Sequence, residues 1–337
     1  MPPTLLGLLM MVLLPALGLA EPTAVELEPL SVEERAALQA VRADPPPAAL
    51  SRGLHFIISD EKRHDHFRSA IQDAGGVYLG VGTDQNYTLA GWARPELMVL
   101  FDFDQLVVDL HQLYRLVFLA AETPEEFRRL WSFREARRLR ALVQESFARP
   151  QERVGPLQAL AHVRATVAKN LDDLEARYRQ LEVPFFMSDP AQYAHLRRLF
   201  QQGRVLLVRG DLTAGRTLAD LAAVLRRQAR VVRVLYLSNA EQYFPYDRQV
   251  RANLLGLPYD ARSWILRTRP FGFEYNYLVQ RPENLRAWLE DRRTANVRHM
   301  APRKLLSRTR PFSEIQHLPP PPPAPRTARG RGGKTKP

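Results

Sequence analysis

The sequence predicts an α/β protein: a mostly parallel sheet with flanking helices, a long helical insertion and a C-terminal antiparallel β-hairpin. Three observations carry that expectation. Short apolar runs closed by Gly, Asp or Ser-Asn alternate with segments of helical periodicity. Residues 105–202, between two such units, read as helix alone. Two alternating runs near the C-terminal end flank a Pro-Phe-Gly turn. With 337 residues that are 45% hydrophobic, the chain can bury a sizeable core.

The first unit begins with Gly76 to Gly82, a β-prone run ending in glycines, followed by Thr83 to Arg94, long enough for a helix or a turn plus helix. Glu96 to Asp102 is nearly all apolar until its last residue, the pattern of a strand buried on both faces. In the insertion, Thr123-Pro124-Glu125-Glu126 combines a capping box with proline at the first helical position. Leu157 to Leu181 is amphipathic, and Ser188-Asp189-Pro190 opens a further helix ending near Gly203. Such an insertion exceeds a simple crossover and is expected as a helical cap beside or over the sheet.

The second unit repeats the first. Arg204 to Val208 is a strand ended by Gly210-Asp211, Thr217 to Ala229 is a helix, and Val231 to Leu237 is a strand closed by Ser238-Asn239. Arg262 to Thr268 and Phe273 to Gln280 form the hairpin, and Pro282 starts a last helix through Arg292. Residues 51–300 are thus expected as one α/β domain.

The ends read differently. Met1 to Ala20 carries no charge, and its apolar run from Leu5 to Leu19 is short for a bilayer span, which suggests a signal peptide cut after Ala20 and an exported, periplasmic or extracellular protein. Residues 21–50 are expected as a poorly ordered lead-in. Residues 301–337 hold nine Lys or Arg against one acid, so they supply +8 of the net +12. With the run Pro319 to Pro323 they read as a disordered, basic tail suited to an anionic envelope polymer, not as a specific nucleic-acid surface. The absence of cysteine excludes disulfides, zinc-thiolate sites and thiol nucleophiles.

In an open α/β sheet the ligand sits beyond the carboxyl ends of the strands. Gly80 and Gly82 would let backbone amides approach it, and Asp102 follows Gly82 by twenty residues, the spacing of an acid that binds a ribose diol. Gln85 stands where the third glycine of a dinucleotide fingerprint would be. Asp84, Gln85 and Asn86, with Asn239 and Tyr243 from the other strand end, are candidate pocket-lining residues. Glu241 is the candidate general acid or base, with a structural carboxylate as the alternative. His111 is either a base reaching the pocket or a buried, hydrogen-bonded imidazole. His64-Asp65-His66 reads as a solvated helix start, since residues two apart diverge on a helix, and no metal site is expected.

Phe56-Ile57-Ile58-Ser59-Asp60, the run Gly75 to Tyr87 and Ser238-Asn239-Ala240-Glu241-Gln242-Tyr243 together resemble an uncharacterised bacterial family of unknown function, over about residues 52–290. The resemblance implies a Rossmann-like sheet similar to class I S-adenosylmethionine-dependent methyltransferases. It implies Gly80 and Gly82 as the cofactor's glycine loop, Asp102 as its ribose acid and Asp211 as the acid contacting adenine. Tyr78 departs from that pattern, standing where methyltransferases place an acid, and Ser238-Asn239 lacks the Pro-Pro of amino-methyltransferases. The sequence therefore leaves three readings: a binding protein for a small nucleoside-like or envelope metabolite, an active methyltransferase with S-adenosylmethionine as cofactor, and a structural envelope protein working through its basic tail.

Overall fold

The computed structural model describes residues 27–50 and 53–321. Its centre is a seven-stranded sheet of order β3-β2-β1-β4-β5-β6-β7. The strands are β1 (Val77–Val81), β2 (Leu97–Asp102), β3 (Val205–Arg209), β4 (Val232–Tyr236), β5 (Trp264–Phe271), β6 (Glu274–Gln280) and β7 (Phe312–Glu314). The first five pair in parallel; β6 runs antiparallel to β5, and β7 parallel to β6.

The helices are α1 (Val32–Gln39), α2 (Arg68–Ile71), α3 (Gln85–Ala93), α4 (Gln105–Ala120), α5 (Pro124–Trp131), α6 (Ala136–Ser146), α7 (Pro150–Gln180), α8 (Pro190–Gln201), α9 (Thr217–Arg227), α10 (Arg248–Gly256), α11 (Pro282–Glu290) and α12 (Val297–Met300). Strand side chains alternate between two cores, as the period of two requires. Tyr78, Met98, Leu100, Val234 and Tyr236 point to the face covered by α3, α4, α7 and α8. Val77, Leu79, Val99, Phe101 and Leu235 point to the face covered by α1, α9, α10 and α11. The expected fold class is therefore the observed one.

The insertion is five helices, α4 to α8, between β2 and β3. Thr123 caps α5 by accepting from the Glu126 amide, as its capping sequence requires. The insertion packs on one face of the sheet and wraps α3, whose nine residues are all buried. A helix covered on the sheet side and again by α8 needs no polar face, so α3 has no amphipathic stripe.

Both ends correct the sequence reading where they are described. The lead-in is ordered from Leu27: α1 carries a full capping box between Ser31 and Glu34, and Leu30, Leu38 and Val41 are buried. Asp44, fully buried, accepts from the Asp211, Arg216 and Thr217 amides and so closes the start of α9 from outside the domain's expected boundary. The tail is ordered to Pro321. Its strand β7 extends the sheet, Ile315 is buried, and the His317 carbonyl accepts from Trp288 Nε1 at 2.9 Å. Both segments pair polar groups that the domain leaves open, a gain that composition does not register. The leader, Met1 to Ala20, and the basic stretch Arg326 to Pro337 lie outside the described residues. Among the described residues no helix is long and apolar enough to cross a membrane.

Asp44→Ala leaves two amides at the α9 start and the Asp211 amide after β3 without their acceptor. A loss of about 3 kcal/mol in urea denaturation is expected, whereas a change within error would show that water replaces the carboxylate freely.

Candidate functional site

A cavity of about 580 Å³ opens beyond the carboxyl ends of β1 to β4. It lies where the sheet order reverses, with β1 leading outward to β2 and β3 on one side and β4 and β5 on the other. The loops after four parallel strands contribute Gly82, Thr83 and Gln85, then Asp102 to Asp104, then Gly210 to Thr213, then Ser238 to Ala240 with Gln242 to Phe244. Phe56, Ile58, Ser59 and Asp60, from the segment that precedes β1, and Tyr275 from β6 complete the lining. Of the expected residues, Gly82, Asp102, Asp211, Gln85, Asn239 and Tyr243 meet here.

Asp102 ends β2 and fixes the floor. One carboxylate oxygen accepts from the Gly82 amide at 3.1 Å, the other from the Asp104 amide at 2.9 Å. Burial pushes its pKa up to about 7, with the neighbouring Asp104 charge adding to the rise and the amide hydrogen bonds opposing it. Asp211 follows β3, whose last residues pair with the end of β2, and the Gly210 amide donates to the Asp102 carbonyl at 3.0 Å. The two acids therefore sit on adjacent strand ends.

The glycine loop does something other than expected. Gly82 has φ +84°, which a side chain would strain, and a Cβ there would lie 2.4 Å from Gln85 Nε2. Its amide is already donated to Asp102, and the Thr83 amide is donated to Gln85 Oε1 at 3.1 Å. The loop amides thus serve the chain's own side chains. Gly80 lies below the cavity, where a Cβ would meet Asn86 Oδ1 at 2.0 Å.

Four expected residues are buried away from the cavity. Asp84 accepts from Asn170 of α7 and from the Thr83 hydroxyl, and burial raises its pKa. Asn86 accepts from the Tyr78 hydroxyl at 2.7 Å and donates to the Val81 and Thr83 carbonyls. His111 bridges two groups: the Gly82 carbonyl, which can only accept, fixes Nε2 as the donor at 2.7 Å, so Nδ1 accepts from the Tyr87 hydroxyl at 2.8 Å. Burial lowers its pKa to about 4, opposed by the bond to Gly82, so the imidazole is neutral at pH 7. Glu241 pairs with the fully buried Arg267 at 2.8 Å and accepts from the Tyr246 hydroxyl. That is the structural carboxylate of the two readings given for it.

Sequence reading passed over several residues. Asp60 lines the cavity and accepts from the Tyr275 hydroxyl, to which Asn239 also donates at 3.3 Å. Asp104 lines it too, capping α4 at Leu106 and meeting His55 Nδ1 at 2.7 Å. The repeated acid in Asp102-Phe103-Asp104 was the available signal. His64 is corrected: it is buried, not solvated, and bonds Glu61 at 2.8 Å. Glu61 is enclosed beneath the cavity by His64, Ser238 and the Tyr236 and Thr268 hydroxyls. Burial would raise its pKa, but the bonds and charge from these partners, His64 foremost, hold it below the ordinary value. Among the described residues no group of three or more acidic or histidine side chains is placed to hold a metal ion.

Fold and cavity define an open α/β protein with a ligand-sized cleft at the switch point of its sheet, loosely resembling Rossmann and methyltransferase folds. Within that class, residues 56–316 match the family described as Domain of unknown function (DUF7790), and the chain belongs to it. No curated protein matches the chain.

His111 gives a pH test of the loop. Its folded pKa lies below its unfolded value, so its contribution to stability is complete above about pH 6.5 and is lost as pH falls toward 4, at up to about 1.4 kcal/mol per unit. The stability difference between wild type and His111→Gln is expected to shrink from pH 7 to pH 5 in thermal melts. Parallel curves would contradict a neutral, buried imidazole.

Proposed function

We propose that this chain is an exported binding protein whose cleft holds a small nucleoside-like ligand and does not transfer a methyl group. The observation that carries the reading is the convergence of Asp102 and Asp211, on adjacent strand ends, with aromatic side chains in one cavity of about 580 Å³. In this reading Asp102 accepts the hydrogen bonds of a ribose diol, Asp211 faces the base edge, and Phe101, Phe103, Tyr243 and Phe244 offer apolar and stacking surface. The cavity is within the size range of small-molecule sites.

S-adenosylmethionine contains such a nucleoside, and the residues present fit it only in part. Asp102, the acid read as the diol's acceptor, lines the cleft, which supports the nucleoside part. The position that holds the methionine group in methyltransferases is Tyr78, here fully buried and donating to Asn86. A buried phenol cannot pair with an ammonium group in the cleft, and the loop after β4 lacks the Pro-Pro motif. Glu241 and His111, the residues considered for acid-base work, are committed to Arg267 and to Gly82. These facts favour binding over transfer, and no methyl-transfer step is assigned.

Calorimetry with adenosine tests the reading. Binding is expected in wild type and at least about tenfold weaker in Asp102→Ala. Because the diol needs the carboxylate, affinity should fall about tenfold per pH unit below about 7 and be flat above it. Affinity unchanged by Asp102→Ala would remove the nucleoside reading. Tighter binding of S-adenosylmethionine than adenosine, with methyl transfer to any acceptor, would restore the transferase.

Export is proposed from the leader Met1 to Ala20 alone. N-terminal sequencing of the native protein should begin at Glu21; a retained Met1 would defeat it.

A further inference from the structure

Among the cleft's buried polar side chains, Gln85 has an amide nitrogen with no partner among the described residues. Gln85 is 5% exposed and lines the cavity. Its amide orientation is fixed, because Oε1 faces the Thr83 amide at 3.1 Å and an N–H can only donate. Among the described residues Nε2 then has no acceptor, while it lies over Gly82, the only residue type that leaves it room. A nearly buried amide held in this way presents donors to whatever enters the cleft.

The charged side chains around it are all acceptors, although Asn239, Gln242 and the hydroxyls of Tyr243 and Tyr275 also line the cavity and can donate. Asp60, Asp102, Asp104 and Asp211 line the cavity, and no Lys, Arg or His does so among the described residues. A helix N-terminus ordinarily attracts anions. At the start of α3, however, the Gly82 and Thr83 amides are consumed by Asp102 and Gln85, and Asp84 places a further acid there. The usual phosphate cradle is therefore filled from within.

We infer that the cleft selects an unphosphorylated ligand, neutral or cationic, whose acceptor is read by Gln85 Nε2 and whose hydroxyl or amine donors are read by the aspartates. This rests on the binding reading above and narrows it: Gln85 is a specificity-determining residue, and phosphate esters of the same ligand are rejected. A phosphate would face four aspartates with no Lys, Arg or His in the lining to compensate, and like charges repel more strongly in a partly desolvated site than in water. An amine in its place would be attracted by the same charges.

The experiment is calorimetry at low salt with adenosine, adenosine 5′-monophosphate and 5′-amino-5′-deoxyadenosine, and in parallel with glucosamine and glucosamine 6-phosphate. Each monophosphate is expected to bind at least about tenfold more weakly than its parent, and the 5′-amine more tightly than adenosine. The gap should narrow in 0.5 M salt as charges are screened, roughly as the Debye length shortens. Asp60→Asn with Asp211→Asn should reduce the phosphate penalty by about tenfold, with thermal melts confirming the fold. Gln85→Glu, which replaces the free donor by an acceptor, should weaken adenosine at least about tenfold, and Gln85→Met should weaken it less.

A monophosphate that binds as tightly as its parent would overturn the inference, as would a phosphate gap that the double variant leaves unchanged. If glucosamine binds with the expected penalty on its phosphate while adenosine does not bind, the selection stands and the nucleoside reading fails. If neither parent binds, both fall.

Discussion

The carboxylate of Asp102 is the tie on which the cleft depends. It holds the Gly82 amide on one oxygen and the Asp104 amide on the other, so the loop after β1 and the start of α4 share a single acceptor. The same tie removes the Gly82 amide from any ligand and sets Gln85 over the glycine, with its oxygen on Thr83 and its nitrogen free. A charged group surrounded by amides is ordinarily stabilised, yet burial beside Asp104 pushes Asp102 the other way, to a pKa of about 7. The site therefore keeps an acceptor whose ionisation is displaced toward neutral pH by its burial.

The sheet was legible because its strands are short, apolar and punctuated. Runs such as Glu96 to Asp102 and Val231 to Leu237 have no polar face, which only burial between two layers explains, and the two-core alternation realises it. The hairpin was legible in outline, although β5 runs to Phe271, past Pro270, because at that end of the ladder the strand pairs only with β6. The two ends were misread for one reason. Leu27 to Asp44 and Val297 to Ile315 are too polar or too short to predict structure from their own periodicity; their order comes from partners far away in sequence, such as Asp44 with Thr217 and Ser307 with Asn276.

The site was legible in position more than in role. Spacing placed Gly82 and Asp102 at one cleft and the resemblance added Asp211, which meets them because strand ends in a parallel sheet converge whatever lies between them. Roles failed where they depended on the surroundings of a side chain. Glu241 follows its strand by five residues and could have faced either way; the 3-10 turn Ala240–Gln242 carries it inward, to Arg267. Arg267 follows an apolar run on β5 and precedes Thr268-Arg269, and nothing near it in sequence marks it as the partner of an acid 26 positions earlier. His64 was read as solvated on local spacing, whereas its acceptor, Glu61, sits three residues before it and is itself closed in by hydroxyls from β4 and β5.

The insertion accounts for much of this displacement. In a short crossover α3 would show one face to solvent, and polar residues at its start could turn toward a ligand. Here α4, α7 and α8 close over it, and a buried polar group must find a partner inside the protein. Asp84 takes Asn170 from α7, Asn86 takes Tyr78 beneath it, and Tyr87 takes His111 from α4. Only Gln85 escapes this sorting, since its oxygen is satisfied locally while its nitrogen clears the loop through the gap left by Gly82. Of four consecutive polar side chains, two therefore bind the insertion, one binds β1 beneath it, and one remains for recognition. The helices added between β2 and β3 line the cleft at one residue, Val107 of α4, yet they decide which side chains the cleft can use.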